Sequence, residues 1–324
     1  MLLLPGFNSM AFHAFMDPFR AANYLRGQSI YSWPLLSLEA GEVTASNGIS
    51  INGVEGFKTS EVVYDFVAVN SSWNPEKFQQ PELQGWLRWQ ARMGATICGL
   101  DTGAFVLAYA GLLEGYKAAT HYEHIAAFRE LFPKTQMDES LFVLDRDRLN
   151  CCGGLAAVDM ALEIIRLQQG IDLANAAGRY IFHGALRSGE EGQLPSTHEP
   201  VGYAVPERLR EAIVVMERNL EQPLKLPELA RRLALSQRQL ERLFQRHTGV
   251  TPLRYYVDVR LDRARGLVTQ TEMQITEVAA ACGFGSPIQF ARAYKQRFGL
   301  PPSRDRIEGR VPFQFRSFPS YVGV

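Results

Sequence analysis

Two groups of side chains in this 324-residue chain have the types and spacing to do chemistry. In the first, Gln237, Arg238, Gln239, Arg242, Gln245 and Arg246 fall on one face of a helical repeat. At a constant offset further on, Gln289, Arg292, Lys295 and Gln296 do the same. Guanidinium and carboxamide groups pair bidentately with guanine and adenine edges in the major groove, and Arg and Lys also reach phosphates. Ser286, which opens the second of these helices, joins the candidate DNA contacts. The second group lies in the first half, around Gly99-Leu100-Asp101-Thr102-Gly103. A strand that turns there straight into a helix presents free backbone N–H groups to a carboxylate. Asp101 could meet a cationic head group or cap the helix. Trp73 offers an aromatic face of the kind a quaternary ammonium needs, or closes a loop. His121 either lines the same site or is structural. Arg20 either pairs with a carboxylate effector or holds Asp17. Trp33, Trp86 and Trp89 read as core.

The elements that must carry the first group are written twice. Leu229-Ala230-Arg231-Arg232-Leu233 and Val278-Ala279-Ala280-Ala281-Cys282 are short apolar-faced helices. A tight turn follows, with Gly283 in the second copy where positive φ is easiest. Ser236 or Ser286 then caps a second helix that buries Leu240, Leu243 and Phe244, or Phe290 and Tyr294, at i, i+3, i+4 spacing. Each copy is a helix-turn-helix. One long helix, Leu253 to Val268, joins them with Tyr256, Val259, Leu261 and Ala264 inward. Two such readers on one duplex face should enter successive major grooves, about 34 Å apart.

Charge agrees with this division. The chain holds 34 basic and 34 acidic residues, but 19 basic and 12 acidic residues fall in 206–310, against 14 and 22 in 1–205. A basic half beside an acidic one suggests that the former meets a polyanion. Residues 187–205, with Gly189, Gly192, Pro195, Pro200 and Gly202, read as a linker between domains 1–186 and 206–310, and 311–324 as a tail. No run of 18 apolar residues predicts a membrane span, and no charged leader with a cleavage site is visible. Four cysteines, two of them adjacent, make neither a disulfide framework nor a zinc spacing, so a reducing cytoplasm is expected and no metal or cofactor. Met1-Leu2-Leu3-Leu4 enters a buried strand without a polar lead-in, which predicts a shortened start. Ile307-Glu308-Gly309-Arg310 spells a protease recognition sequence.

The first domain alternates strands and helices, which implies a mostly parallel, doubly wound sheet. Strands are predicted at 1–4, Tyr31 to Leu38, 66–69, 95–99, 117–120 and as a hairpin of 141–144 with 149–152. Helices are predicted from Met10 to Leu25 (ended by Gly27), 83–93, 104–110, 125–131, 155–168 and 174–182. Val43 to Gly48 reads as a hairpin-like turn. Ligands of such sheets sit outside the carboxyl ends of the strands, which selects the turn at Asp101.

The run Ala279 to Pro302, with Cys282-Gly283-Phe284, Ser286, Phe290, Arg292, Tyr294-Lys295, Phe298-Gly299 and Pro302, resembles the DNA-binding domain of the AraC/XylS family of transcription regulators. Asp305 stands before Arg306, where that family often has an aromatic residue. The first half resembles the class I glutamine amidotransferase-like fold of the PfpI type, through Ala110-Gly111-Leu112-Leu113-Glu114-Gly115, Ala119-Thr120-His121-Tyr122, Cys152-Gly153-Gly154 and Asp159. In enzymes of that fold a cysteine occupies the elbow; here alignment puts Asp101 there, with Cys98 inside the preceding strand. The resemblance therefore implies a pocket kept and a catalytic centre lost. Together the halves resemble the GlxA-like subgroup of these regulators. Asp17-Pro18-Phe19-Arg20-Ala21-Ala22-Asn23, Ala45-Ser46-Asn47-Gly48 and Leu100-Asp101-Thr102-Gly103 look most like regulators of betaine or carnitine catabolism. The expectation is a non-enzymatic regulator that dimerises, binds double-stranded promoter DNA and a small effector, and contacts RNA polymerase. The alternative is an amidase or thiol hydrolase with an appended DNA-binding module.

Overall fold

The computed structural model describes residues 1–183, 187, 189, 192–193 and 206–308. Most of the expected linker 187–205, the tail 311–324 and Gly309-Arg310 lie outside the described residues. The chain divides into two compact units, one built on Met1–Gln193 and the other on Leu194–Arg310.

In chain order the first unit contains β1 (Leu2–Leu3), α1 (Ser9–Arg26), β2 (Leu36–Ser37), β3 (Gly41–Thr44), β4 (Ser50–Gly56), β5 (Phe66–Ser71), α2 (Pro81–Arg92) and β6 (Thr96–Asp101). There follow α3 (Gly103–Tyr109), β7 (Lys117–Ala118), α4 (Ile125–Leu131), β8 (Gln136–Met137), β9 (Phe142–Asp145), β10 (Arg148–Cys151), α5 (Ala156–Gln169) and α6 (Ile171–Tyr180). Eight strands form one sheet in the order β3-β4-β2-β1-β5-β6-β10-β9, and β7 and β8 pair separately. The run from β4 to β10 is parallel; only the outer hairpins, β3 with β4 and β9 with β10, are antiparallel. Helices α1, α5 and α6 pack on one face through Phe15, Phe19, Met160 and Ile165. Helices α2, α3 and α4 cover the other through Leu83, Leu87, Phe105 and Phe128. A parallel sheet covered on both faces leaves its strands apolar throughout, which is why Val67–Val69 and Ile97–Leu100 read as continuous hydrophobic runs.

One predicted strand and one predicted turn differ from what is seen. Of Tyr31 to Leu38, only Leu36–Ser37 pairs. Asn23 on α1 takes the backbone instead: its Oδ1 accepts from the N–H groups of Ile30 and Tyr31, both at 2.9 Å, and its Nδ2 donates to the Tyr31 carbonyl at 2.8 Å. Groups bound to a side chain are lost to a ladder. Conversely, the turn at Val43–Gly48 opens into β4, which carries Asn52, Gly53 and Gly56 and so has little strand propensity of its own. Pairing with β3 and β2 holds it.

The second unit is all helical: α7 (Glu207–Glu217), α8 (Leu226–Arg232), α9 (Gln237–Thr248), α10 (Pro252–Gln270), α11 (Ile275–Ala281), α12 (Pro287–Phe298) and α13 (Pro302–Glu308). The central α10 packs on α7, α9, α11, α12 and α13, with Tyr256, Val259, Leu261 and Ala264 buried as expected. Arg260 of α10 donates to the carbonyls of Cys282 and Gly283 at 2.8 and 2.7 Å, fixing the second turn to the rod. Asp305, fully buried, accepts from Tyr294 Oη at 2.8 Å and Arg265 Nε at 3.0 Å. It thus ties α13 to α12 and α10 by charge where an aromatic residue would do so by packing.

Both turns end their first helix the same way. Leu235 N–H reaches back to Ala230 O, and Ala234 N–H to Arg231 O; in the second copy Phe284 reaches Ala279 and Gly283 reaches Ala280. This is the Schellman closure, which requires a left-handed residue. Gly283 supplies it at φ 70°, but the first copy uses Ala234 at φ 53°. A Cβ at Gly283 would also press on the Leu220 carbonyl and the Pro223 ring. A left-handed alanine costs roughly 1–2 kcal/mol and glycine's extra unfolded freedom roughly 0.5–1. Ala234→Gly should therefore raise stability by about 0.5–1 kcal/mol, and Gly283→Ala should lower it by about 2 kcal/mol or more. Urea unfolding midpoints of the full chain measure both; a loss of stability in Ala234→Gly would show that this turn is not strained.

Candidate nucleic-acid interface and effector site

On α9, Gln237, Arg238, Gln239, Arg242, Gln245 and Arg246 are exposed, while Leu240 and Phe244 are fully buried. On α12, Gln289, Arg292, Lys295 and Gln296 are exposed above buried Phe290 and Tyr294. One acid, the exposed Glu241, shares α9 with these cations, but unlike several of their neighbours they are not paired among the described residues. Arg232 pairs with Glu228, Arg254 with Asp258, Arg265 with Asp305, and Arg297 with Asp258 and Asp262. Among the described residues, Arg238, Arg242, Arg246, Arg292 and Lys295 form no ion pair, so the uncompensated charge gathers on the two outward helix faces. Two of the expected contacts have structural work as well. Gln239 Oε1 accepts from Ser236 N–H at 2.8 Å while Ser236 Oγ accepts from Gln239 N–H at 3.2 Å, a reciprocal cap. Ser286 caps α12 through Gln289 N–H.

In the first unit, β6 ends at Asp101 in a left-handed conformation, φ 59°, and α3 starts two residues later. Asp101 is 4 % exposed and does not cap α3. Its Oδ2 accepts from Asn8 Nδ2 at 2.5 Å, and its carbonyl accepts from Thr120 Oγ1 at 2.8 Å. Thr102 Oγ1 donates to the Ser72 carbonyl at 2.6 Å, drawing in the segment that carries Trp73. Asn8 and Asn70 bond one another across the ends of β1 and β5. Gly153 lies against Asp101, where a Cβ would come within 2.8 Å of the Asp101 Cβ. The carboxyl ends of β1, β5, β6 and β10 thus converge on one carboxylate. Burial pushes the Asp101 carboxyl above its ordinary range, and His121, Asn8 and Ser72 only partly oppose this.

Asp101, Thr102, Trp73 and His121 are brought to this end of the sheet; Arg20 is not. It pairs with Asp17 at 2.9 Å on the exposed side of α1, about 18 Å along the helix from Asn8 at 1.5 Å per residue. Asn8 was missed from sequence, where nothing marks it beyond its suitability as the cap of α1. Asp159 was noted only as part of a resemblance. It is fully buried and binds Arg187 at 2.6 Å and His183 at 2.9 Å.

Comparison with known proteins agrees with both units. A family described as a helix-turn-helix domain matches residues 229–307. The HTH-type transcriptional regulator CdhR of Pseudomonas aeruginosa is 40 % identical over 308 residues, covering 94 % of this chain and 90 % of the relative. The HTH-type transcriptional regulator GlxA of Rhizobium meliloti is 34 % identical, covering 93 % of each. The chain belongs to the AraC/XylS family of transcription regulators, in its GlxA-like subgroup. Like its relatives it is a DNA-binding transcription regulator. A ThiJ/PfpI family protein from Pseudomonas syringae, 19 % identical, superposes with a TM-score of 0.52 over 72 % of this chain and 89 % of its own, which shows the fold alone.

In this GlxA-like regulator no described thiol is placed for nucleophilic work. Cys98, Cys151 and Cys282 are buried and Cys152 is half-buried. Burial pushes Cys98 and Cys152 up to about 12 and Cys282 to about 11, and raises Cys151 well above its ordinary value. At pH 7 a group with pKa 12 is a thiolate about once in 10⁵ molecules. Native protein should take up iodoacetamide far more slowly than the urea-unfolded chain; one fast-labelling thiol would reverse this conclusion. For Asp101 the sign is that of a raised acid. The folded state holds the proton more tightly, so stability falls as pH rises from the ordinary carboxylate range toward the folded value. Asp101→Asn should melt higher than the parent at pH 7, with the gap closing toward pH 3. A gap that does not change with pH would mean that Asp101 ionises freely.

Proposed function

We propose that this regulator is effector-responsive, with a small amphiphilic metabolite bound at the Asp101 elbow changing how two recognition helices are offered to promoter DNA. The observation that carries the reading is the concentration of unpaired Arg and Lys on the outward faces of α9 and α12. The α10 rod would set their separation, so that they enter successive major grooves of tandem half-sites. Arg238, Arg242, Gln289 and Arg292 read base edges, while Arg246 and Lys295 suit phosphates. Gln237 stays available, and Gln239 keeps its amide N–H groups for an acceptor while its oxygen serves the cap.

At the elbow, backbone N–H groups at the start of α3 suit a carboxylate, and Trp73, Asp101, Thr102 and His121 suit a cationic or quaternary head group. A betaine, carnitine or a basic amino acid has both ends. Arg20 has no part in this site. The chain acts as a homodimer and contacts RNA polymerase from the DNA-bound state, in the cytoplasm where its operators are. It is not an enzyme: a carboxylate at the elbow cannot form a thioester, and the buried thiols are protonated. An effector acts only through unequal affinity for the two arrangements.

Arg242→Ala should weaken binding to the cognate promoter by about 1–3 kcal/mol if it reads a base, and by a sequence-independent amount with a shallower salt slope if it holds a phosphate. Fluorescence anisotropy at several salt concentrations distinguishes these, and unchanged affinity excludes Arg242 from the interface. A thermal-shift screen of glycine betaine, carnitine and arginine should give a saturable rise with one of them, since a ligand of the folded state adds RT ln(1 + [L]/Kd). Loss of that rise in Asp101→Ala but not in Arg20→Ala would place the ligand at the elbow; equal loss in both would count against this site.

A further inference from the structure

Next to the elbow, after β7, Tyr122–His124 form a single 3-10 turn opened by His121. Residues three apart eclipse one another in such a turn. The rings of His121 and His124 accordingly lie 6.1 Å apart, centroid to centroid. One ligating atom from each of His121, Glu123 and His124 lies within 4.8 Å of the other two. His124 is buried with its ring edge-on to Phe105 at 5.8 Å, and His121 stacks on Tyr122 at 4.4 Å, so both imidazoles are held in place before any ligand arrives. Glu123 is exposed, so its side chain has solvent and not packed neighbours to displace. The contact on His121 Nδ1 is one long backbone hydrogen bond, 3.4 Å from Glu123 N–H, which a stronger ligand would replace. The Asp101 carboxyl is near enough for His121 and Glu123 to act on it electrostatically.

We propose that His121, Glu123 and His124 bind a divalent first-row transition ion, Zn²⁺ by the character of the ligands, at the edge of the elbow. Two imidazoles and one carboxylate suit zinc and its neighbours, whereas Mg²⁺ and Ca²⁺ require oxygen ligands. At bond lengths of about 2.0–2.1 Å, tetrahedral ligands stand roughly 3.4 Å apart. Movement of the Glu123 side chain and small ring rotations supply the closure. Three protein ligands leave a position for water or another donor. Cysteine spacing gave no hint of this; the marker in the sequence is His121-Tyr122-Glu123-His124. The site stands whether or not the elbow takes an effector.

Full-length protein stripped with EDTA and titrated with Zn²⁺ by calorimetry, and with Co²⁺ by visible absorption, tests this. One equivalent should bind, with d–d bands for Co²⁺, and excess Mg²⁺ should not compete. Glu123→Gln and His121→Asn, both outside the core, should each weaken binding about tenfold or more, since even the loss of a group supporting a ligand costs 10–100-fold. His247→Gln, in the other unit, should not. Circular dichroism verifies that the variants fold. Absence of stoichiometric binding, or undiminished affinity in both Glu123→Gln and His121→Asn, would overturn the proposal.

Discussion

A left-handed residue that reverses the chain between two short elements places the functional groups in both units. At Asp101 it ends a buried strand and starts α3 with almost no intervening chain, lifting one carboxylate to the sheet's edge. At Ala234 and Gly283 it closes a helix so that the next, capped by Ser236 or Ser286, departs with its polar face outward. The conformation is unfavourable for any residue but glycine, so it persists only where surrounding contacts hold it. Thr120, Asn8 and Gly153 hold it at Asp101. Two back-reaching hydrogen bonds hold it in each helix-turn-helix, and in the second copy Arg260 adds two more.

The helical unit sorts its cations by partner. Arginines along α10 are spent on the fold: Arg260 on the turn carbonyls, Arg265 on Asp305, and Arg254 on Asp258. Arg297 of α12 turns back onto Asp258 and Asp262. Guanidinium groups held in this way cannot also follow a phosphate backbone. The cations left over on α9 and α12 form no ion pair among the described residues and so keep their charge for a phosphate backbone. Asp305 shows the same economy in reverse: a buried carboxylate with two donors fastens the last helix where packing alone would need an aromatic ring.

The sheet unit has the fold of a ThiJ/PfpI family protein. A buried carboxylate stands at the elbow, and the nearest thiol in sequence, Cys98, faces into the core beneath it. Desolvation acts on both in the same direction, favouring the neutral form. Groups that resist ionisation are poorly suited to generate a nucleophile.

The amino-acid sequence alone determined what depends on local spacing. The duplicated helix-turn-helix, its caps, the buried α10 stripe, the alternation of strands and helices and the elbow at Asp101 all come from periods of two or 3.6 residues and from glycine or serine at set offsets. Only tertiary structure decided what depends on partners distant in the chain. Asn23 consumed the backbone of a predicted strand, and β3 and β2 made a strand of the glycine-bearing segment 50–56. Asp17 took Arg20, Asn8 came from 93 residues away to hold Asp101, and the acids of α10 and α13 decided which arginines remained free. The physical reason is that a side chain's type sets what it can bond, whereas burial and competition among neighbours set what it does bond, and those neighbours are chosen by the fold.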